Sequence, residues 1–194
     1  MISKNLKFIA ERYNYDPNHN LRYQILKEIV EFYRIQELLI LGCGIGVLEF
    51  ILSDSVRCIS VDIDPYKLYI AQEINSAKKN RTFIQSDIYE IKQKLKKKFP
   101  AILISEVLEH LEDDKSCIRV VKNLLKLNGL FILTVPNINR LTNKIRRYYG
   151  RKIQFMSNEH KKEYTYQQII ELLSVNGSRS FKKSLFTFDF PKRK

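Results

Sequence analysis

Residues Glu37 to Gly46 read ELLILGCGIG, and this stretch decides the fold. Glu37 to Leu41 supply a short apolar run of the kind a strand buried on both faces needs. Gly42, Gly44 and Gly46 follow at G-x-G-x-G spacing, and Val47 to Leu52 (VLEFIL) read as the start of a helix. A glycine loop between strand and helix lets the backbone approach a ligand closely, because no Cβ stands in the way. It also aims helix N-terminal N–H groups at whatever sits there. Asp62 lies sixteen residues past Gly46, at the end of the next apolar run, Cys58 to Val61. An acidic side chain at that place can take both ribose hydroxyls of a nucleoside. The dinucleotide fingerprint G-x-G-x-x-G would put its third glycine at Val47, which disfavours a nicotinamide-linked oxidoreductase.

Working outward, Leu21, Ile25, Leu26, Ile29 and Val30 repeat at helical spacing, so residues 21–33 read as an amphipathic helix. Residues 1–20 before it form an N-terminal arm in which Tyr13, Tyr15, Asp16 and His19 cluster around Pro17. Beyond the glycine loop, Arg57 to Asp62 reads as strand two. Asp64-Pro65 then starts a helix running to about Asn75, with Asp as N-cap and Pro at the first helical position. Thr82 to Gln85 is a third strand. Asp87 opens a helix that carries Lys92, Lys94, Lys96, Lys97 and Lys98 and ends at Pro100. Ala101 to Ser105 is strand four, and Glu106 to Asp114 (EVLEHLEDD) is an acidic turn on a basic protein. The following helix is expected to reach Leu127, with Asn128-Gly129 stopping it. Leu130 to Val135 is strand five. Asn139 is the expected cap of a basic helix holding Arg140, Lys144, Arg146 and Arg147, with Arg151 and Lys152 beyond. Thr165 with Gln168 makes a capping box for a last helix, Tyr166 to Val175, which Asn176-Gly177 ends. Phe181 to Phe190 reads as strand six.

Strands alternate with helices, which implies crossovers and an α/β, doubly wound, Rossmann-like parallel sheet over residues 21–194. Ligands of such sheets bind at the carboxyl ends of the strands. Gly42–Gly46, Asp62, Asp87 and Glu106 each follow one of the first four strands, so they converge on one rim.

The chain has 194 residues, suited to one domain with a sizeable core. Its apolar content of 44% and charged content of 28% are those of a soluble globular protein. No apolar run can span a bilayer, and the N-terminal residues have no signal-peptide core. Cys43, Cys58 and Cys117 are scattered, without a C-x-x-C pair, which points to a reducing cytoplasm and away from disulfides or a cysteine zinc site. The net charge of +13 makes nucleic acid, a phosphorylated substrate or anionic lipid a candidate partner, while the lysines, falling mostly where exposed helix faces are expected, favour a solvated surface.

With these residues placed, the sequence resembles the class I S-adenosylmethionine (SAM)-dependent methyltransferases. Within them it is similar to the type 11 and ubiquinone-biosynthesis O-methyltransferase group. The stretches LLILGCGIG, VDIDPYKLYIAQ, FIQSDI, ISEVLEHLED, LKLNGLFILTVPN and EHKKEYTYQQIIELL carry the resemblance. It implies that Gly42, Gly44 and Gly46 lie against the amino-acid and ribose part of SAM, and that Asp62 holds the ribose hydroxyls. It further implies that Ile63 lies against adenine, that Asp87 and the Ile88 N–H read its edge, and that Ser105 and Glu106 sit near the methyl group. There are departures. Ile40 stands where the family has an acid, LKLNG replaces a Lys-Pro-Gly-Gly turn, and only 17 residues follow Gly177. The last, antiparallel strand is therefore expected to be stunted.

For chemistry, methyl transfer to a hydroxyl needs alignment and removal of a proton. Glu106, Glu109 and His110 stand at i, i+3 and i+4, one face if the turn is helical, and His160 follows fifty residues after His110. His110 and Glu109 are the candidate catalytic pair. The E-x-x-E-H plus distant His pattern also resembles the divalent-metal site of ubiquinone O-methyltransferases and of small-RNA 3′-terminal 2′-O-methyltransferases. That makes Glu106, Glu109, His110 and His160 candidate ligands for Mg²⁺, Mn²⁺ or Zn²⁺. Without a metal, Glu109 and His110 shape the pocket or the helix start. The expected activity is transfer of a methyl group from SAM to an oxygen of a small molecule. The alternative is a basic RNA-binding protein or RNA methyltransferase on the same scaffold, with Arg140 to Lys152 on phosphates.

Overall fold

A computed structural model describes residues 17–175 and 182–185, with side chains from residue 21 to residue 174. In chain order the elements are α1 (Pro17–Phe32), β1 (Glu37–Leu41), α2 (Val47–Ile51), β2 (Arg57–Asp62), α3 (Pro65–Ile74), β3 (Arg81–Gln85), α4 (Ile91–Lys94), β4 (Phe99–Ser105), α5 (Asp114–Leu124), β5 (Leu125–Thr134), α6 (Leu141–Tyr148), α7 (Tyr166–Val175) and β6 (Lys182–Leu185). A 3₁₀ turn, Leu108–His110, lies between β4 and α5.

The six strands form one sheet in the order β3-β2-β1-β4-β5-β6, every described pair parallel. The order reverses between β1 and β4, so the crevice of the sheet opens at their carboxyl ends. The strands are near-continuous apolar runs because both faces are covered. Leu39, Leu41, Ile102, Ile104 and Leu133 point to the side packed by α5 and α7. Leu38, Ile40, Ala101, Leu103 and Ile132 point to the side packed by α1 and α2. Burying each such Leu or Ile stabilises the fold by roughly 1.5–3 kcal/mol.

Several expected boundaries move, each for a packing reason. The lysine-rich helix shortens to Ile91–Lys94, because Phe99 is fully buried and already pairs with Leu125 in the sheet. Pro100 is tolerated inside β4 because the ladder shifts register between Phe99 and Ala101. The helix expected to reach Leu127 ends at Leu124. Asn128 does adopt a left-handed φ of 60°, but it lies where β5 bulges between Leu125 and Leu130, not at a helix stop. The caps at Asp64 and at Thr165 with Gln168 form as expected.

The first helix starts at Pro17, within the expected arm. Tyr13, Tyr15 and Asp16, the Asn176-Gly177 stop and the rest of the 181–190 strand lie outside the described residues, as does the expected antiparallel closure.

Candidate active site

The loop after β1 turns back through hydrogen bonds from Gly42 N–H and Cys43 N–H to Val61 O, at 2.7 and 3.0 Å. Gly42, Gly44 and Gly46 have φ of +80°, +55° and +73°, the left-handed region that costs an L side chain energy. Their surroundings differ. A Cβ on Gly42 would stand 2.3 Å from Val107 Cγ2, and one on Gly46 would stand 2.8 Å from Ala71 Cβ. A Cβ on Gly44 would meet nothing within 4 Å. Gly42 and Gly46 therefore serve packing, and Gly44 presents bare backbone to open space. Asn75 Nδ2 donates to Gly46 O and fixes the loop onto α3.

Asp62 closes the loop from the side. Its Oδ2 accepts from Gly44 N–H at 2.7 Å and its Oδ1 from Asp64 N–H at 3.0 Å. Each carboxylate oxygen keeps a lone pair for one more donor. Ile63 beside it is exposed and Ile88 is buried. Asp87 Oδ1 accepts from Tyr89 N–H at 2.8 Å. At the end of β4, Ser105 Oγ and Thr134 Oγ1 lie 2.8 Å apart, and Thr134 Oγ1 donates to Glu106 Oε1 at 3.1 Å. Together these groups line one cavity of about 520 Å³ at the switch of strand order. The expected residues Gly42, Gly44, Asp62, Ile63, Asp87, Ile88, Ser105, Glu106 and His110 all reach it, and Gly46 stands behind it.

The cavity has a wall that the sequence pattern did not reveal. Arg22 of α1 lies 3.8 Å from Glu106 Oε2 and 5.0 Å from the Tyr23 ring. It sits one turn before the buried Leu26 on the stripe that faces the core. A charge on an apolar stripe is the signal that could have exposed it.

Glu106, Glu109 and His110 do not share a helical face. Glu106 has φ +55°, and only Leu108–His110 is helical. Glu106 turns to Arg22 and Thr134, while burial pushes its carboxyl up and the Arg22 charge and Thr134 hydroxyl hold it back. Glu109, His110 and His160 do gather, with one ligand atom from each lying within 4.8 Å of the others. The two imidazoles are edge-to-face, centroids 5.0 Å apart. His110 Nδ1 donates to Glu159 O at 3.3 Å, and His160 Nδ1 donates to Glu163 Oε1 at 3.2 Å. In the neutral form of either ring, Nε2 is then the acceptor. Glu109 is fully buried, and neither carboxylate oxygen has a hydrogen-bond partner. Burial, reinforced by the Glu106 charge, pushes its pKa up to about 8.

What brings His160 here is the acidic turn. Lys161 N–H donates to Glu109 O at 2.9 Å, Lys161 Nζ pairs with Glu112 at 2.7 Å, and Lys162 Nζ pairs with Asp114. Tyr164 OH reaches Leu108 O and Asp114. Behind His160, the buried Glu163 accepts from Arg140 and from Met156 N–H. Arg140, expected on a solvated basic helix, is instead buried in this ion pair and also donates to Gln154 O. It is not available to a phosphate. Asn139 does not cap the helix; it accepts from Arg147. Cys58 and Cys117 are buried and Cys43 half-buried; desolvation pushes all three thiols up, Cys58 and Cys117 to about 12, so none offers a ready thiolate.

Residues 37–177 match the family described as methyltransferase domain. The chain belongs to the class I SAM-dependent methyltransferases. It is 31% identical over 150 residues to a ubiquinone biosynthesis O-methyltransferase of Pelagibacter ubique, a match covering 66% of this chain and 61% of that protein. The chain thus spans less than two thirds of the curated relative it matches. Among solved structures it is similar to the YcgJ protein of Bacillus subtilis (TM-score 0.63, 20% identity, 81% of this chain and 68% of that one). The magnesium protoporphyrin IX methyltransferase of Synechocystis, solved with S-adenosylhomocysteine, aligns with TM-score 0.63 at 18% identity over 88% of this chain and 83% of that one. These two share the fold of this methyltransferase.

Proposed function

We propose that this chain transfers the methyl group of SAM to an oxygen of a small-molecule acceptor. The observation that carries this reading is the convergence of bare backbone at Gly44, the Asp62 carboxylate and the Glu106–His110 turn on one cavity. The residues fit the cofactor. Gly44 leaves room that any side chain would fill, and the remaining lone pairs of Asp62 suit two ribose hydroxyls. Ile63 and Ile88 offer apolar surface for adenine, Asp87 an acceptor for its edge, and Ser105 and Glu106 flank the methionine end. Bound SAM supplies a methyl group on a sulfonium, which leaves as a neutral thioether. The chain's own residues orient the acceptor and take its proton at His110 Nε2, so that a C–O bond forms as the C–S bond breaks. The name of the Pelagibacter relative supports oxygen as the atom methylated.

As an alternative to a proton-accepting His110, the cluster of Glu109, His110 and His160 would fit a divalent cation. Glu109 has two buried oxygens without partners, and both Nδ1 atoms are held so that Nε2 is free to ligate. A carboxylate and two imidazoles suit Mn²⁺, Mg²⁺ or Zn²⁺, which would lower the pKa of an acceptor hydroxyl. Glu106, engaged by Arg22 and Thr134, is outside this set.

The test has two stages. Calorimetry should show heat on adding SAM, lost in Asp62→Ala. Labelled SAM should then pass its label to compounds bearing adjacent hydroxyls. Label appearing on amines alone would overturn the oxygen assignment, and no heat with SAM would overturn the whole reading.

A further inference from the structure

A parallel sheet that gathers its carboxyl ends at the cavity gathers its amino ends at the opposite rim, and here that rim is basic. Taken in sheet order, Lys79 precedes β3, Arg57 opens β2, Arg34 precedes β1, Lys96 and Lys98 precede β4, and Lys126 follows the first residue of β5. All six are exposed. Backbone bonds tie these segments to the edge. Arg57 N–H donates to Gln36 O at 2.8 Å, Cys58 N–H donates to Asn80 O at 3.0 Å, and Phe99 pairs with Leu125. Adjacent strands lie about 4.8 Å apart, so five strands set these cations in a row of roughly 20 Å.

The row is not neutralised from within. At this edge Glu37 faces Lys97 and Asp54 faces Lys78, while Glu31 at the end of α1 faces Lys27 at 3.7 Å. Arg81 spends its guanidinium on the carbonyls of Leu52 and Ser53, at 3.0 and 3.1 Å, and so braces the fold. None of the six cations of the row has an ion-pair partner among the described residues. Like charges aligned without partners repel one another and add nothing to the stability of the fold. They are complementary to a linear polyanion.

The ring beside the row favours a nucleic acid strand over an acidic protein. Phe32, two residues before Arg34, is 80% exposed, with Tyr33 edge-to-face at 5.1 Å. An exposed aromatic beside a cationic track holds unpaired bases over a neutralised backbone. An acidic peptide answers the charges and leaves the ring bare.

We infer that the amino rim of the sheet holds the phosphate backbone of a single-stranded polynucleotide, with a base on Phe32. This second site lies at the other end of the strands from the cavity and is independent of the methyl-transfer reading.

The test is fluorescence anisotropy of the full chain with a labelled oligouridine of about 12 nucleotides. Log affinity should fall with log salt at a slope of about −3.5, as for about five phosphates neutralised on a single strand. The rim variant Arg57→Gln, Lys79→Gln, Lys98→Gln should make that slope shallower by about 2. The control Lys144→Gln, Arg151→Gln, Lys152→Gln removes the same charge from exposed positions in and after α6 and should leave the slope unchanged. Phe32→Ala should weaken binding about fivefold or more at the wild-type slope. All these side chains face solvent away from the cavity, so each variant should melt near wild type and bind SAM with unchanged heat. An oligothymidine of the same length is the second probe. Binding of either supports the inference, and the tighter of the two names the source of the phosphates. Absence of binding at low salt overturns it. So does equal weakening by the rim and control variants, since net charge alone then attracts the strand. A duplex that binds as tightly as the single strand, or Phe32→Ala that binds like wild type, overturns the stacked base. Displacement of the oligonucleotide by polyglutamate or by phosphatidylglycerol vesicles at equal charge makes the rim a general anion surface and also overturns the inference.

Discussion

Glu163 Oε1 accepts the Nδ1 proton of His160 at 3.2 Å while the same carboxylate faces the buried Arg140 guanidinium. The imidazole is thereby held beside Glu109 and His110. Glu163→Gln leaves the Arg140 charge without its partner, and loss of one member of a buried pair costs about 3–5 kcal/mol. At about 2–4 °C per kcal/mol for a domain of this size, the melting temperature should fall by roughly 10 °C. His160→Gln removes only one of the three donors to Glu163, so it should melt near wild type. It should keep SAM affinity and lose methyl transfer. If His160→Gln keeps full turnover, the ring has a packing role only.

Gly44 and Gly46 should respond differently to alanine. Gly44→Ala carries the left-handed strain of about 1–2 kcal/mol and projects its methyl into open space. It should remain folded and lose SAM affinity by more than tenfold in calorimetry. Gly46→Ala meets Ala71 and Asn75, so it should lower the melting temperature first. Equal effects on stability from both would contradict the division between cradle and packing positions.

Glu109 gives the site a pH signature. Its carboxyl in the folded chain holds its proton up to about pH 8, well above an ordinary Glu. The native state then binds more protons than the unfolded one across that interval, so stability falls as pH rises through it. Glu109→Gln should flatten this slope and melt higher than wild type above about pH 8. A divalent cation acts in the opposite sense by favouring the carboxylate. Mn²⁺ should raise the melting temperature of wild type at that pH and leave Glu109→Gln unmoved. A Mn²⁺ shift that persists in the variant would place the ion elsewhere.

Glu49, which does not line the cavity, provides a contrast. It is fully buried on α2, and burial pushes it up to about 7, with the Ser60 hydroxyl and the Arg81 charge offsetting this in part. Glu49→Gln should move the urea midpoint up above pH 7 and leave SAM affinity alone. Loss of SAM affinity in this variant would give Glu49 a part in shaping the glycine loop.

The glycine-loop half of the cavity was legible because it is written locally. Gly42–Gly46, Asp62, Asp87 and Glu106 each follow a strand at its carboxyl end, and a parallel sheet carries all such ends to one rim. The cluster of Glu109, His110 and His160 was legible only in its residue types. Glu109, His110 and His160 could be named as a set, but their meeting depends on Lys161 and Lys162 seizing the acidic turn, which no period in the sequence announces. Arg22 was hidden inside a helix read for its apolar residues, and Arg140 inside a run read for its charge.

The sequence by itself determined the α/β alternation, the order of the turns at the carboxyl rim of the sheet and the family. Those follow from apolar periodicity and from turns that only certain residues can make. The tertiary structure alone decided which charges are buried partners and which remain on the surface, and which stripe of α6 faces out. Periodicity shows that a helix has two faces. Only packing, which seats Asn143 and Arg140 inside through hydrogen bonds, settles which face meets water or a partner.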